Sequence, residues 1–150
     1  MNFNITALTH LTKLFLPQVI EHGFGRIMNV ASTAAFQPGP KMAVYYASKH
    51  YVLAFSEALD EELKGTGVTV TTLCPGPVRT RFQESAEMGN AKLFKLPIVK
   101  HADEVAAYGY QKLRKGKRLA IPGVMNQMNI FMLRFLPRKI VSALVKKVHE

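Results

Sequence analysis

Tryptophan is absent, cysteine occurs once, and only three acidic residues follow position 91. Each scarcity narrows the reading. The single Cys74 excludes an intrachain disulfide and suits a reducing compartment. No apolar run reaches the roughly 20 residues of a membrane span, since the longest are cut by Lys13, Gln127 or Arg134. A basic leader followed by a cleavable small-residue site is missing from the first residues, so a cytoplasmic protein is the default expectation. The five histidines, at 10, 22, 50, 101 and 149, lack ligand spacing, and no metal site is expected.

At 150 residues the chain holds one core and not two, and an apolar share of 48% with 20% charged residues is ordinary for a globular fold. The charge is unevenly spread. Residues 1–91 carry seven basic and seven acidic side chains; residues 92–150 carry thirteen basic against Asp103, Glu104 and Glu150, which accounts for the whole net +10. Lys112, Arg114, Lys115, Lys117 and Arg118 form one cluster, and Arg134, Arg138, Lys139, Lys146 and Lys147 lie on the tail. A solvated surface is the plain reading. Anionic lipid, an acidic partner, or a phosphorylated or CoA-type substrate is the sharper one. Nucleic acid is not expected as a partner, because no recognition module or aromatic-interleaved basic surface is present.

The spacing of Ile5, Leu8, Leu11, Phe15, Val19 and Ile20 predicts a helix over 4–22, which Pro17 should kink or break. Residues 26–31 read as a short buried strand running into Ser32. Residues 43–64 form the clearest helix, with Val44, Ala47, Tyr51, Ala54, Phe55, Ala58, Leu59 and Leu63 along one side. A β-branched strand over 68–74 stops at Pro75-Gly76-Pro77. After irregular residues 79–100, a helix is expected over 102–113, a short strand over 118–121, and one or two amphipathic helices over 124–149 divided at Pro137. Alternating helices and strands predict a parallel sheet covered by helices.

Ser32 stands where a strand gives out, which is where open parallel sheets bind ligands. Tyr45 and Lys49 are four apart on a helix and share a face. A free tyrosine hydroxyl titrates near pH ~10, and a fixed ammonium beside it favours the phenolate. With a serine hydroxyl to hold an oxygen, the set suits proton transfer at a carbonyl. Tyr-x-x-x-Lys alone is weak. A second copy, Tyr108 to Lys112, has no serine-ended strand before it and reads as a surface pair.

Asn29-Val30-Ala31-Ser32 followed by Tyr45-Tyr46-Ala47-Ser48-Lys49 resembles the active-site segment of the short-chain dehydrogenase/reductase family. Pro75-Gly76-Pro77-Val78-Arg79-Thr80 is similar to that family's Pro-Gly-x-x-x-Thr turn, and Asn4 falls where the family keeps a catalytic asparagine. The likeness runs in order along residues 2–82. It implies an α/β fold, the C-terminal part of a Rossmann-like doubly wound parallel sheet, over 1–123, with 124–150 as an amphipathic basic tail. It further implies Tyr45 as general acid or base, Lys49 as the group that lowers its pKa and holds the nicotinamide ribose, and Ser32 orienting the substrate oxygen. Asn4 would hold a relay water, and Tyr45, Pro75, Gly76 and Thr80 would contact the nicotinamide side of NADP or NAD. Plainer roles compete: helix caps for Asn4 and Thr80, a turn residue for Ser32.

The family's glycine-rich Thr-Gly-x-x-x-Gly-x-Gly turn and its Asn-Asn-Ala-Gly segment are not in these 150 residues. The expectation is that about a hundred residues of the ancestral fold are missing ahead of Met1 and that the sheet exposes the edge a preceding strand would cover. The function implied is NAD(P)-dependent interconversion of a carbonyl and a secondary alcohol on a small-molecule substrate; the apolar tail reads as packing over the substrate cleft or, alternatively, as the mark of a lipophilic substrate. The alternatives are an inactive remnant or a dimerising fragment. A homo-oligomer through the two long helices and peripheral membrane contact through the tail complete the expectations.

Overall fold

The computed structural model describes residues 2–79 and 100–148. A π-helical segment, Asn2–Ala7, leads into α1 (Leu8–Glu21), followed by β1 (Gly25–Val30), a 3-10 turn (Thr33–Phe36) and α2 (Ala43–Glu62). Next come β2 (Val68–Leu73), the two-residue strands β3 (Val78–Arg79) and β4 (Lys100–His101), and α3 (Ala102–Arg114). The chain closes with β5 (Leu119–Ala120), α4 (Val124–Leu133) and α5 (Arg138–Val148). The main sheet is parallel throughout, in the order β1-β2-β5, with Gly25 opposite Val68 and Leu73 opposite Ala120. The small strands β3 and β4 pair in parallel beside it, a feature the sequence pattern did not suggest.

The central strand explains the layers. Along β2, Val68 and Val70 face α1 and α2, where Leu59 and Leu63 meet them; Leu73 faces α3, with Val105 and Ala120. Burial on both faces is what a parallel strand needs, and its β-branched run supplies it. The tail joins the same body. Val141 and Val145 of α5 are buried with Ala34 and Tyr46, and Ile130 of α4 is buried as well.

Two expectations change. Of the two effects expected of Pro17, a kink or a break, the break does not occur: α1 runs from Leu8 to Glu21 with the proline inside. Pro17 and Lys13 are both exposed, so water can reach the carbonyl at 13 that a proline leaves without an amide partner. The second concerns the inward face of α2. Tyr46, Ser48, Val52, Leu53, Ser56 and Leu59 are buried there, whereas Val44, Ala47, Ala54 and Ala58 point outward. The helix is apolar on two sides, and the side that went in carries two buried serines. Ser56 Oγ donates to Val52 O at 2.6 Å and accepts from Asn29 Nδ2 at 2.9 Å, so neither polar group is left unpaired.

Gly67 ends the α2–β2 turn at φ +78°, and a methyl there would strike the backbone oxygen of Gly23. Gly67→Ala is expected to cost about 2–3 kcal/mol from a disfavoured left-handed backbone plus displacement of the facing turn. Thermal unfolding followed by circular dichroism should show Tm lowered by roughly 5–10 °C.

Candidate active site

Three strands finish on one edge of the sheet. β1 runs into Ala31-Ser32, β2 into Cys74-Pro75-Gly76, and β5 into Ile121-Pro122-Gly123. Hydrogen bonds stitch that edge together: Thr33 N donates to Pro75 O at 2.9 Å, and Ser32 Oγ donates to the same carbonyl at 3.4 Å. Ser32 also caps the 3-10 turn, its Oγ accepting from Ala34 N at 3.1 Å. It therefore serves as a turn residue while standing, half-buried, at the strand end.

Tyr45 and Lys49 lie one turn apart near the start of α2. The Lys49 ammonium sits 5.9 Å from the centre of the Tyr45 ring and donates to Val30 O at 3.0 Å. Val30 is the last residue of β1, so this bond ties the helix to the strand that delivers Ser32. Burial holds the lysine below its ordinary pKa, with the neighbouring Cys74 sulfur opposing that shift. The two adjacent tyrosines are sorted by burial. Tyr46 is a core residue; burial pushes its hydroxyl up, Tyr45 adds to the shift, and a hydrogen bond with Gln37 opposes it. Tyr45 is only half-buried and rests edge-on against Tyr46, at 5.8 Å and 80°.

Asn4 lies in the π-helical segment, a distortion often found at functional positions. Its Nδ2 donates to Ser48 Oγ at 3.1 Å, and Ser48 Oγ donates to Tyr45 O at 2.7 Å. The side chain thus reaches across to α2 and not back to cap its own helix. Ser48 is a residue that sequence reasoning passed over. The available signal was a small hydroxyl three residues after Tyr45, on the face that turned inward.

Gly76 follows the Pro75 carbonyl and backs onto α4, where a Cβ would come within 2.6 Å of Asn126 Nδ2. Asn126 is buried, with that nitrogen donating to Pro122 O at 2.8 Å, so one side chain bridges the turns after β2 and β5. Nothing in its sequence context marked it. Thr80 lies outside the described residues.

Cys74 is fully buried between these groups, and burial pushes its thiol up to about 12, against hydrogen bonding from Ser32 and the pull of Lys49. Burial and a raised pKa both disfavour the thiolate that a nucleophilic cysteine needs. The unfolded thiol ionises from its ordinary 9.0, so the folded state binds a proton the unfolded state has lost, and stability should fall as pH climbs from there toward 12. Iodoacetamide near pH 9 should leave the native chain unmodified and alkylate the urea-unfolded chain within minutes; Cys74→Ala should flatten the alkaline loss of stability.

The second Tyr-x-x-x-Lys pair is instructive. Lys112 Nζ lies 5.0 Å from the Tyr108 ring centre, closer than its counterpart, yet Tyr108 packs on the Leu73–Val105–Ala120 cluster along α3. An ammonium near a phenol is therefore common to both copies, and the serine-ended strand belongs to one. Among the described residues, no three His, Cys, Asp or Glu side chains stand close enough to hold a metal ion.

A family model described as short chain dehydrogenase matches residues 1–91. A very-long-chain 3-oxoacyl-CoA reductase of Mus musculus is 29% identical over all 150 residues, which cover 47% of that protein. The ketoacyl reductase HetN of a Nostoc strain is 43% identical over 77 residues, 51% of this chain and 27% of its own length. A short chain dehydrogenase from Burkholderia cenocepacia, solved in complex with NADP, superposes with a TM-score of 0.73 at 26% identity, over 95% of this chain and 57% of that one. The chain spans about half the length of the whole-chain relative it matches.

Proposed function

The chain belongs to the short-chain dehydrogenase family of oxidoreductases, and from that premise we propose that residues 1–123 form the catalytic half of an NAD(P)-dependent enzyme that reduces a carbonyl group to a secondary alcohol. One observation carries the reading. Lys49, 5.9 Å from the Tyr45 ring, is bonded to the last carbonyl of the strand that presents Ser32, which supports a shared site for the three groups beyond the carboxyl ends of the strands, where open sheets bind ligands.

In this reading a bound nicotinamide supplies the hydride, and the chain manages the proton. The Tyr45 hydroxyl gives its proton to the substrate oxygen as that oxygen gains negative charge. Ser32 turns its hydroxyl from Pro75 O toward the same oxygen and holds it. Lys49 exchanges Val30 O for the cofactor ribose and stabilises the phenolate that Tyr45 leaves behind. Asn4 acts through Ser48 on the backbone of Tyr45, fixing the turn from which the phenol projects. Pro75, Gly76 and Thr80 are proposed to line the nicotinamide. These residues fit the nicotinamide end of a dinucleotide; its pyrophosphate end finds no glycine-rich turn in the 150 residues.

The named activities of the mouse and Nostoc relatives support a 3-oxoacyl compound as substrate. The outward apolar residues of α1, among them Leu11, Leu14 and Phe15, support pairing of two copies through the long helices. That same surface favours a second reading, in which these residues work as a dimerising fragment without turnover. Oxidation of NADPH in the presence of 3-oxoacyl thioesters and simple ketones separates the two. Substrate-dependent oxidation supports the enzyme reading, and none at millimolar cofactor removes it for this chain.

A further inference from the structure

Helix α4 is apolar on two sides. Ile130 and Asn126 are buried against the body. Opposite them, Val124, Met125, Met128, Phe131, Met132 and Phe135 follow one another at the spacing of a single helical face, and each is between 55% and 72% exposed. Phe131 and Phe135 pack edge to face at 5.3 Å. On α5, Val141 and Val145 turn into the core while Ile140 and Leu144 remain about half exposed, with the exposed Lys147 continuing their line one turn further. Between the two helices and the 3-10 turn is a hollow of about 170 Å³, lined by Phe36, Leu136 and Val141 together with Arg134 and Arg138. The surrounding charge has one sign. From Val105 to His149 the sequence holds ten Lys or Arg and no Asp or Glu.

We propose that this outward face of α4 and α5 docks on an anionic phospholipid bilayer, with the Met and Phe side chains entering the acyl boundary and Arg134, Arg138, Lys139 and Lys147 meeting the lipid phosphates. A stripe that stands open to water, as this one does among the described residues, is unusual on a monomer. A second copy would press basic side chains against their equivalents. A bilayer supplies apolar depth and negative charge at once, and unbranched methionines insert there without needing a shaped pocket. No described helix is long and apolar enough to cross a membrane, so the chain lies on the surface. The inference is independent of turnover, since binding is read without substrate.

The test is co-sedimentation of the 150-residue chain with phosphatidylcholine vesicles, plain or with roughly a third phosphatidylserine. The expected result is partitioning at least about tenfold stronger on the anionic vesicles, weakened by high salt. Joint Met128→Ser and Phe131→Ser substitution should reduce it about tenfold, and Lys139→Glu with Lys147→Glu should remove the preference for phosphatidylserine. All four positions are exposed, so far-UV circular dichroism should match that of the parent. No binding to anionic vesicles overturns the proposal, as does binding that both double variants retain. So does a concentration-dependent oligomer, seen by analytical ultracentrifugation without vesicles, that the Met128/Phe131 variant disperses, because a second copy would then occupy the face.

Discussion

Tyr45→Phe is expected to lower the rate of carbonyl reduction by about 10²–10⁴-fold, the range for loss of a positioned general acid, while weakening NADPH binding by less than about tenfold, the effect of one lost hydrogen bond. The substitution removes one hydroxyl and leaves the edge-to-face contact of the ring with Tyr46. Cofactor contacts assigned to Lys49 and to the Pro75-Gly76 turn are untouched. Single-turnover oxidation of NADPH with a 3-oxoacyl thioester is the measurement, because it separates the chemical step from binding. Tyr108→Phe is the matched control: that phenol also has a lysine ammonium nearby, at 5.0 Å, and its loss should leave the rate unchanged. Equal effects from the two variants would show that the strand-end context confers nothing, and the proposed site would go. Asn4→Ala offers a graded companion. If it acts only through Ser48 on the Tyr45 backbone, its effect should be smaller and should leave the pH dependence in place.

NADPH itself is expected to bind these 150 residues with a dissociation constant in the millimolar range, about 10²–10⁴-fold weaker than to a relative that carries the glycine-rich turn. In nucleotide-binding sheets of this kind the pyrophosphate rests on backbone amides at a helix N-terminus. Losing two charge-assisted hydrogen bonds there removes roughly 3–6 kcal/mol, and each 1.4 kcal/mol is about a factor of ten. In the proposed site these residues supply the nicotinamide end, through Tyr45, Lys49 and the Pro75-Gly76 turn. Titration by cofactor fluorescence decides the matter. Micromolar affinity would mean that the phosphates find another cradle among the thirteen basic residues after position 91.

The proposed site rests on a local signal. A strand that ends on Ser32, a fixed step to Tyr45 and a one-turn step to Lys49 are distances along the chain; in space, Lys49 stands 3.0 Å from Val30 O and 5.9 Å from the centre of the Tyr45 ring. The inward face of α2 was not legible. Choosing between two apolar sides required knowing that Ser56 would meet Asn29 and that Ser48 would meet Asn4, contacts 27 and 44 residues apart. Serines read as surface residues until their partners are known. Asn126 hid for a related reason, since its importance lies in filling the space that Gly76 leaves open. The doubly apolar α4 was visible as an apolar segment, but which of its sides would be outermost was settled by packing against the turn after Ser32.

β1 pairs on one side with β2 and, among the described residues, with nothing on the other. The outward amides and carbonyls of this extended segment, save the Val30 carbonyl that Lys49 occupies, are a template for another strand, and Arg26 is its one charged deterrent. Preparations of the chain should therefore be sensitive to protein concentration, clouding when strand meets strand between molecules and staying clear when dilution or a complementary peptide occupies that margin. Handling, and not chemistry alone, will decide which of its properties can be observed.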